Sequence, residues 1–264
     1  MAETDQSLYL LFSHNGNGNL SSCNCPTHPN GGMTRRASYI REFRRTHGNV
    51  LLVSTGDETG IIEEPIQDKY VLQALQLMRY DLIVPGDQEL VYDPAFLRKQ
   101  GKELDFLACN LFITNKKEAL FRPYCFMERA GMKLLFIGLI GRDTVPSLRS
   151  SSIRWTEYDG ELKALLKKFR ARSDMVILLS HSGLNEDKRI AGQFSNIDVI
   201  IGSHSQDLLK EPVRSGKTWI VQAGDKGQYM GVLRMAKKKN GIERSFRTIT
   251  LDPGIKDDQE IKTL

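Results

Sequence analysis

Val50-Leu51-Leu52-Val53-Ser54-Thr55-Gly56-Asp57 sets an apolar run against a sharp polar stop that ends in a carboxylate. A short run of this kind, bounded by turn signals, reads as a buried strand. The sequence before it has a different period. Between positions 31 and 48 the apolar residues Met33, Ala37, Ile40 and Phe43 recur at helical spacing, and Gly48 supplies a stop, so an amphipathic helix leads into the strand. After it, Val71, Leu72, Leu75 and Met78 share one face of a helix over 68–79, and 82–84 is another strand. Upstream, 8–12 is a buried strand that stops at the polar, Gly/Asn-rich stretch 13–19, where a loop must begin. Strand, helix and strand alternating in this way imply parallel strands joined by crossover helices.

The alternation continues to the end of the chain. Positions 106–108, 134–140, 175–179 and 197–201 read as strands, with a helix carrying Leu162, Leu165, Leu166 and Phe169 between them. Asn240-Gly241, flanked by strand-like runs over 229–235 and 242–251, is a type I′ hairpin signal, so the later strands are partly antiparallel. No repeat, low-complexity tract or linker divides the chain. One domain over 1–264 is expected, with 252–264 a charged tail that is either a short helix or a frayed end.

Composition narrows the function classes. No apolar run approaches the ~20 residues that span a bilayer, and the mean hydropathy of −0.35 agrees with a chain lacking a transmembrane segment. The formal charge of +5 is spread out. Arg35, Arg36, Arg41, Arg44 and Arg45 read as a solvated helix face, and Lys237, Lys238 and Lys239 as a charged hairpin end. No aromatic residues interleave with these cations as stacking platforms would require, so nucleic-acid binding is not expected. Met1-Ala2-Glu3-Thr4-Asp5 is no signal peptide; read literally it gives a cytoplasmic protein, while a Met placed before a polar mature terminus would look the same. The cysteines Cys23, Cys25, Cys109 and Cys125 permit two disulfides, free thiols or a metal site.

In open α/β sheets ligands gather beyond the carboxyl ends of the strands. Here those positions hold Ser13-His14-Asn15-Gly16, Thr55-Gly56-Asp57, Pro85-Gly86-Asp87-Gln88-Glu89, Ser180-His181-Ser182-Gly183 and Gly202-Ser203-His204-Ser205-Gln206. A lone Asp after a strand is most often a helix cap, and a lone His a hydrogen-bonded structural residue. Several strand ends carrying carboxylate and imidazole together point instead to a divalent metal, with imidazole suiting zinc, iron or manganese.

The order and wording of these segments resemble the calcineurin-like metallophosphoesterase superfamily, and within it the N-terminal domain of bacterial 5'-nucleotidases. The likeness runs from Ser13-His14-Asn15-Gly16-Asn17 through Gly56-Asp57, Gly86-Asp87-Gln88-Glu89, Ser180-His181-Ser182-Gly183 and Gly202-Ser203-His204-Ser205-Gln206 to Gln222-Ala223-Gly224. It implies an α/β fold, a metallophosphatase-type four-layer αββα sandwich with mixed, mostly parallel sheets. It further implies a metal-dependent phosphoester hydrolase acting on a small phosphorylated substrate, with a centre of two metals.

One of those metals would take Asp57, Asp87, His181 and His204. The other would need an Asp, a His and a second His where this chain has His14, Gly16 and Gln206. One divalent metal ion, zinc, manganese or iron, is therefore expected, and Gln206 falls back to a supporting role. Gln88 stands where the resemblance puts a catalytic histidine, so activity should be weak or altered. Glu89 and Asn110 match positions near the site and are expected to support it rather than react.

Ser22-Cys23-Asn24-Cys25-Pro26 resembles a cysteine-bearing, often secreted branch of the same superfamily. In that reading Cys23 and Cys25, with His14, rebuild a soft metal site; a structural disulfide or buried thiols are the plainer readings. The resemblance and the Cys-x-Cys segment together lead us to expect a periplasmic or secreted protein. The family's separate C-terminal substrate-binding domain is expected to be absent, since the chain stops soon after the final hairpin. Two functions follow: a 5'-nucleotidase-like hydrolase with a reduced metal site, or a catalytically degenerate domain that binds a metal or an unidentified protein partner.

Overall fold

The structure is a computed structural model that describes residues 7–22 and 29–264. The elements run β1 (Ser7–Ser13), α1 (Met33–Thr46), β2 (Val50–Ser54), α2 (Pro65–Leu77), β3 (Leu82–Ile83), α3 (Pro94–Gln100), β4 (Leu111–Ile113), β5 (Tyr124–Arg129) and β6 (Met132–Ile140). They continue as β7 (Ile153–Trp155), α4 (Tyr158–Phe169), β8 (Met175–His181), α5 (Leu184–Gln193), β9 (Val199–Gly202), β10 (Val213–Ser215), β11 (Thr218–Val221), β12 (Tyr229–Lys238), β13 (Gly241–Thr250) and α6 (Gln259–Lys262).

Two large sheets form, ordered β13-β12-β1-β2-β3 and β10-β11-β9-β8-β6-β5, beside a small β4-β7 pair. Pairing is parallel through β1-β2-β3, one side of the first sheet, and through β11-β9-β8-β6, the middle of the second. Antiparallel pairing in the large sheets is confined to β1-β12-β13, the other side of the first sheet, and to β5-β6 and β10-β11 at the two edges of the second.

The period-2 alternation of the strands shows how the layers stack. Leu10 and Phe12 of β1, Leu51 and Val53 of β2, Phe136 of β6, and Ile177 and Leu179 of β8 pack together, so the two sheets meet face to face. Leu11 and Leu52, one step out of phase, pack on Met33, Ile40 and Phe43 of α1 and Leu72 and Leu75 of α2. On the other side Leu135, Ile137, Val176 and Leu178 meet Leu162 and Phe169 of α4 and Ile190 of α5. The result is the αββα sandwich. Each fully buried Leu or Ile in these layers contributes about 2 kcal/mol of transfer free energy.

Two sequence expectations need adjusting, and one open alternative is resolved. Positions 106–108 form only isolated bridges, Ile83 with Phe106 and Leu107 with Arg122. The N–H groups of Leu107, Ala108 and Cys109 go to Ile83, Arg122 and Gly138 in turn, because the chain here crosses from one sheet to the other and cannot sustain one ladder. The tail is not frayed: Asp258 caps α6 by accepting from the N–H groups of Glu260 and Ile261, and Ile261 is buried. Arg36 does not belong to a solvated face. Its side chain is 1% exposed, since position 36 shares the phase of Met33, Ile40 and Phe43.

Candidate metal centre

The carboxyl ends of β2, β3, β8 and β9 deliver Asp57, Asp87, His181 and His204 to one place. One ligand atom from each of the four lies within 4.8 Å of all the others. Backbone geometry enforces this. Asp57 and His204 both adopt positive φ, 58° and 73°, a conformation L residues hold only where the surroundings over-determine it. The loops can approach because Gly56 and Gly86 lack side chains: a Cβ on Gly86 would stand 2.2 Å from Asp57 Oδ1.

The hydrogen bonds aim the lone pairs inward. His181 is fully buried, and its Nδ1 lies 2.7 Å from the carbonyl oxygen of Thr55 and 2.9 Å from Ser203 Oγ. We assign the Nδ1 proton to Thr55 O, which leaves Nε2 toward the cluster; an imidazole held this way by its second nitrogen is the usual arrangement of a metal ligand. That Nε2 is 3.0 Å from Asp87 Oδ1 and 3.5 Å from Asp57 Oδ2. His204 Nδ1 is 3.2 Å from Asp87 Oδ1 and 3.3 Å from His181 Nε2. No lysine or arginine neutralises the pair of carboxylates among these contacts.

The electrostatics follow from that. Burial pushes the Asp57 carboxyl up to about 7, against the opposing pull of His181. Burial also opposes charge on Asp87, yet the hydrogen bonds from His181 and His204 hold its carboxyl well below the usual carboxylate range. Burial disfavours an imidazolium at His181, and the Asp57 and Asp87 carboxylates outweigh it, raising that group to about 9. A proton on His181 thus does in the metal-free site what a cation would do better. Two imidazoles and two carboxylates around one point fit a single divalent ion of the zinc, manganese or iron type.

Surrounding groups fix the loops. Glu89 is buried, and its carboxylate accepts from the N–H groups of Asp57, Glu58, Thr59 and Gly86, tying the loop after β2 to the loop after β3. Asn110 spans Ile140 and Thr156, so it holds the end of β6 and touches none of the four donors in the hydrogen bonds it makes. Asp187, absent from the sequence reading, accepts from Ser182 Oγ at 2.9 Å beneath the His181 loop.

Other expected positions lie outside the cluster. His14 Nε2 accepts the Ala223 N–H at 2.8 Å, and its Nδ1 has no partner among the described residues. Burial first, then the charges of His181 and Arg36, lower this group to about 3, so it is a neutral imidazole. Gln88 donates from Nε2 to Asn17 Oδ1 at 2.9 Å, while its Oε1 is buried and has no partner among the described residues. Gln206 is exposed with a φ of 61°. Cys23 and Cys25 lie outside the described residues. Cys109 is buried, and its thiol is pushed up to about 12 by burial; Cys125 is half-buried in β5, and both are free.

A feature that sequence reasoning missed lies beside Asp57. Glu58 and Arg36 form an ion pair at 2.6 Å with both side chains 1% exposed. The helical phase of Arg36 was the available signal.

Comparison with known proteins gives one consistent picture. No family model matches the chain. A snake venom 5'-nucleotidase from Crotalus adamanteus is 27% identical over 268 residues, covering 88% of this chain and 45% of that protein. The crystal structure of a 5'-nucleotidase precursor from Thermus thermophilus superposes with a TM-score of 0.83 at 20% identity, over 97% of this chain and 57% of that one. The calcineurin-like phosphoesterase YfkN from Bacillus subtilis superposes with a TM-score of 0.78 at 18% identity, over 97% of this chain and 95% of that one. The chain spans about half the length of the curated relatives it matches. No helix among the described residues is long and apolar enough to cross a membrane.

Proposed function

We propose that this chain, a member of the calcineurin-like metallophosphoesterase superfamily, binds one divalent metal ion through Asp57, Asp87, His181 and His204 and hydrolyses small phosphoesters slowly. The observation that carries this reading is the convergence of the four donors within 4.8 Å, with His181 held by Thr55 so that its free nitrogen faces in. When bound, a divalent cation supplies Lewis-acid polarisation of a phosphoryl oxygen. The chain's own part is to fix that position through Glu89, Thr55 and Ser203, and to offer Gln88 Nε2 as a hydrogen-bond donor. Gln88 carries neither a charge nor a transferable proton. Losing a single preorganised donor costs roughly 3 kcal/mol, so replacing a charged one and removing a second metal should lower turnover by several orders of magnitude.

The names of the relatives make nucleoside monophosphates the first substrate class to test. The decisive rates are those on nucleoside monophosphates and an aryl phosphate with manganese, zinc or iron supplied. Turnover far below about 10 per second, the median for enzymes, is expected. A rate above that value would show the altered site to be a competent catalyst.

A second reading, a metal-binding domain without catalysis that serves a protein partner, draws on Gln88 and Gly16 standing where the superfamily pattern has histidines. Absence of turnover with any of the three metals, in protein that retains its ion, favours it. We read the chain as one metallophosphatase-like domain with a periplasmic or secreted location. A native gene product that begins at this Met, with no upstream signal, would count against that location.

A further inference from the structure

We propose that the buried Arg36–Glu58 ion pair stands in place of a second metal ion, filling the room that a ligand at position 16 would need and tying the loop after β1 to the loop after β2. This rests on the single-metal reading above and deepens it. The superfamily pattern places a metal-binding histidine at Gly16, and here a Cβ at that position would lie 2.3 Å from Glu58 Oε2 and 3.3 Å from Arg36 Nη2. A Cβ on Gly227 would lie 2.9 Å from the same Nη2. The guanidinium edge therefore runs along two bare glycine backbones, and no side chain fits at 16 while the pair stands.

The pair also joins the ends of β1 and β2. Glu58 Oε1 accepts from Ser13 Oγ at 2.5 Å and Ser54 Oγ at 2.8 Å, the last residues of β1 and β2. Arg36 Nη1 lies 3.3 Å from both Ser13 Oγ and Tyr80 Oη. Glu58 directly follows Asp57, whose φ of 58° must be held from both sides. Stability alone does not account for such a pair, because apolar residues of similar volume usually serve as well as two buried charges. A fixed cation between the loop carrying His14 and Gly16 and the loop carrying Asp57 does account for it. Arg36 and Glu58 are positioning residues, and together they keep the centre mononuclear.

The test uses the full chain and two readouts, thermal midpoint and metal content by elemental analysis with manganese or zinc supplied. Gly16→Ala should lower the midpoint by roughly 10 °C with the pair intact, and by much less alongside Arg36→Leu/Glu58→Ala. If that background does not fold, Gly16→Ala/Glu58→Asp, which keeps the charge but withdraws it by one methylene, should recover most of the loss. His14→Asp/Gly16→His/Gln206→His, which restores all three second-metal positions, should hold no second metal with the pair intact and should approach two per chain with the pair removed. Equal midpoint losses in both backgrounds, a second metal with the pair intact, or none with it removed would each overturn the inference. A wild-type chain that holds no metal would sink the single-metal reading instead, while the coupling between Gly16 and Glu58 in the thermal midpoint would still stand.

Discussion

His181 Nε2 and His204 Nδ1 face one another at 3.3 Å, and Asp87 Oδ1 lies 3.0 Å from the first and 3.2 Å from the second. Three electron-rich atoms at these separations repel unless something positive sits among them. Protons on both rings satisfy Asp87 but then oppose one another across the 3.3 Å between the nitrogens, whereas a divalent cation satisfies all three atoms and Asp57 as well. His181→Ala or His204→Ala should therefore cost more in metal affinity than the roughly 10- to 100-fold that loss of an outer-shell partner brings. Competition against a chelator of known affinity measures this. Unchanged affinity in either variant would show the donors to be misassigned.

Glu89 carries a related expectation. Its carboxylate takes backbone N–H groups from Asp57, Glu58, Thr59 and Gly86, and the bond from Asp57 helps hold the positive φ that turns that side chain inward. Glu89→Gln puts an amide NH2 against those donors and should lower stability by about 3 kcal/mol. Metal affinity should fall roughly 10- to 100-fold. A variant with lowered stability and full metal affinity would reduce Glu89 to a purely structural role.

Much of this was legible in the sequence, and the gaps have physical causes. The strands that carry the donors are fully apolar runs with abrupt polar ends, so β2, β8 and β9 and the residues after them could be read directly. β5 escaped because an edge strand of half-exposed residues, Tyr124-Cys125-Phe126-Met127-Glu128-Arg129, shows neither a continuous apolar run nor a clean alternation. Arg36 was misread because its residue type argued for solvent while its helical phase argued for burial; its partner Glu58 is 22 residues away, a pairing no local pattern reveals. The Asp187 contact with Ser182 is short in sequence but depends on the turn at Gly183, whose φ is 86°.

Gly86→Ala tests how closely the loops are packed. The added methyl would meet Asp57 Oδ1 at 2.2 Å and Asp57 N at 2.5 Å, so either Asp57 or the whole loop after β3 must move. Metal retention should fall by roughly 10-fold or more, and stability by about 1–3 kcal/mol as in other overpacked sites. Retention of the ion at wild-type affinity would mean that the loops adjust without disturbing the donors.

Asp187 should make the metal-free protein sensitive to pH. Burial raises its carboxyl from the ordinary value of 3.8 to about 7, against the opposing hydrogen bonds of Ser180, Ser182 and Gln222 and the charge of His181. The folded state thus binds this proton more tightly than the unfolded chain. The associated stability is fully present below about pH 4 and is lost as pH rises through about 7, an effect of at most about 4 kcal/mol. Asp187→Asn, which cannot ionise, should flatten this part of the profile and be the more stable form above that pH. Denaturant midpoints at about pH 5 and about pH 8 decide it; an equal drop in variant and wild type would assign the dependence to other groups.

The central claim is a single-ion centre built from Asp57, Asp87, His181 and His204. The most direct measurement is elemental analysis of the purified chain after loading with manganese, zinc or iron and removal of loosely held ions, run beside the double variant His181→Ala/His204→Ala. One tightly held ion per wild-type chain and none in the variant is the predicted result. Two tightly held ions, or one that survives loss of both histidines, would contradict it.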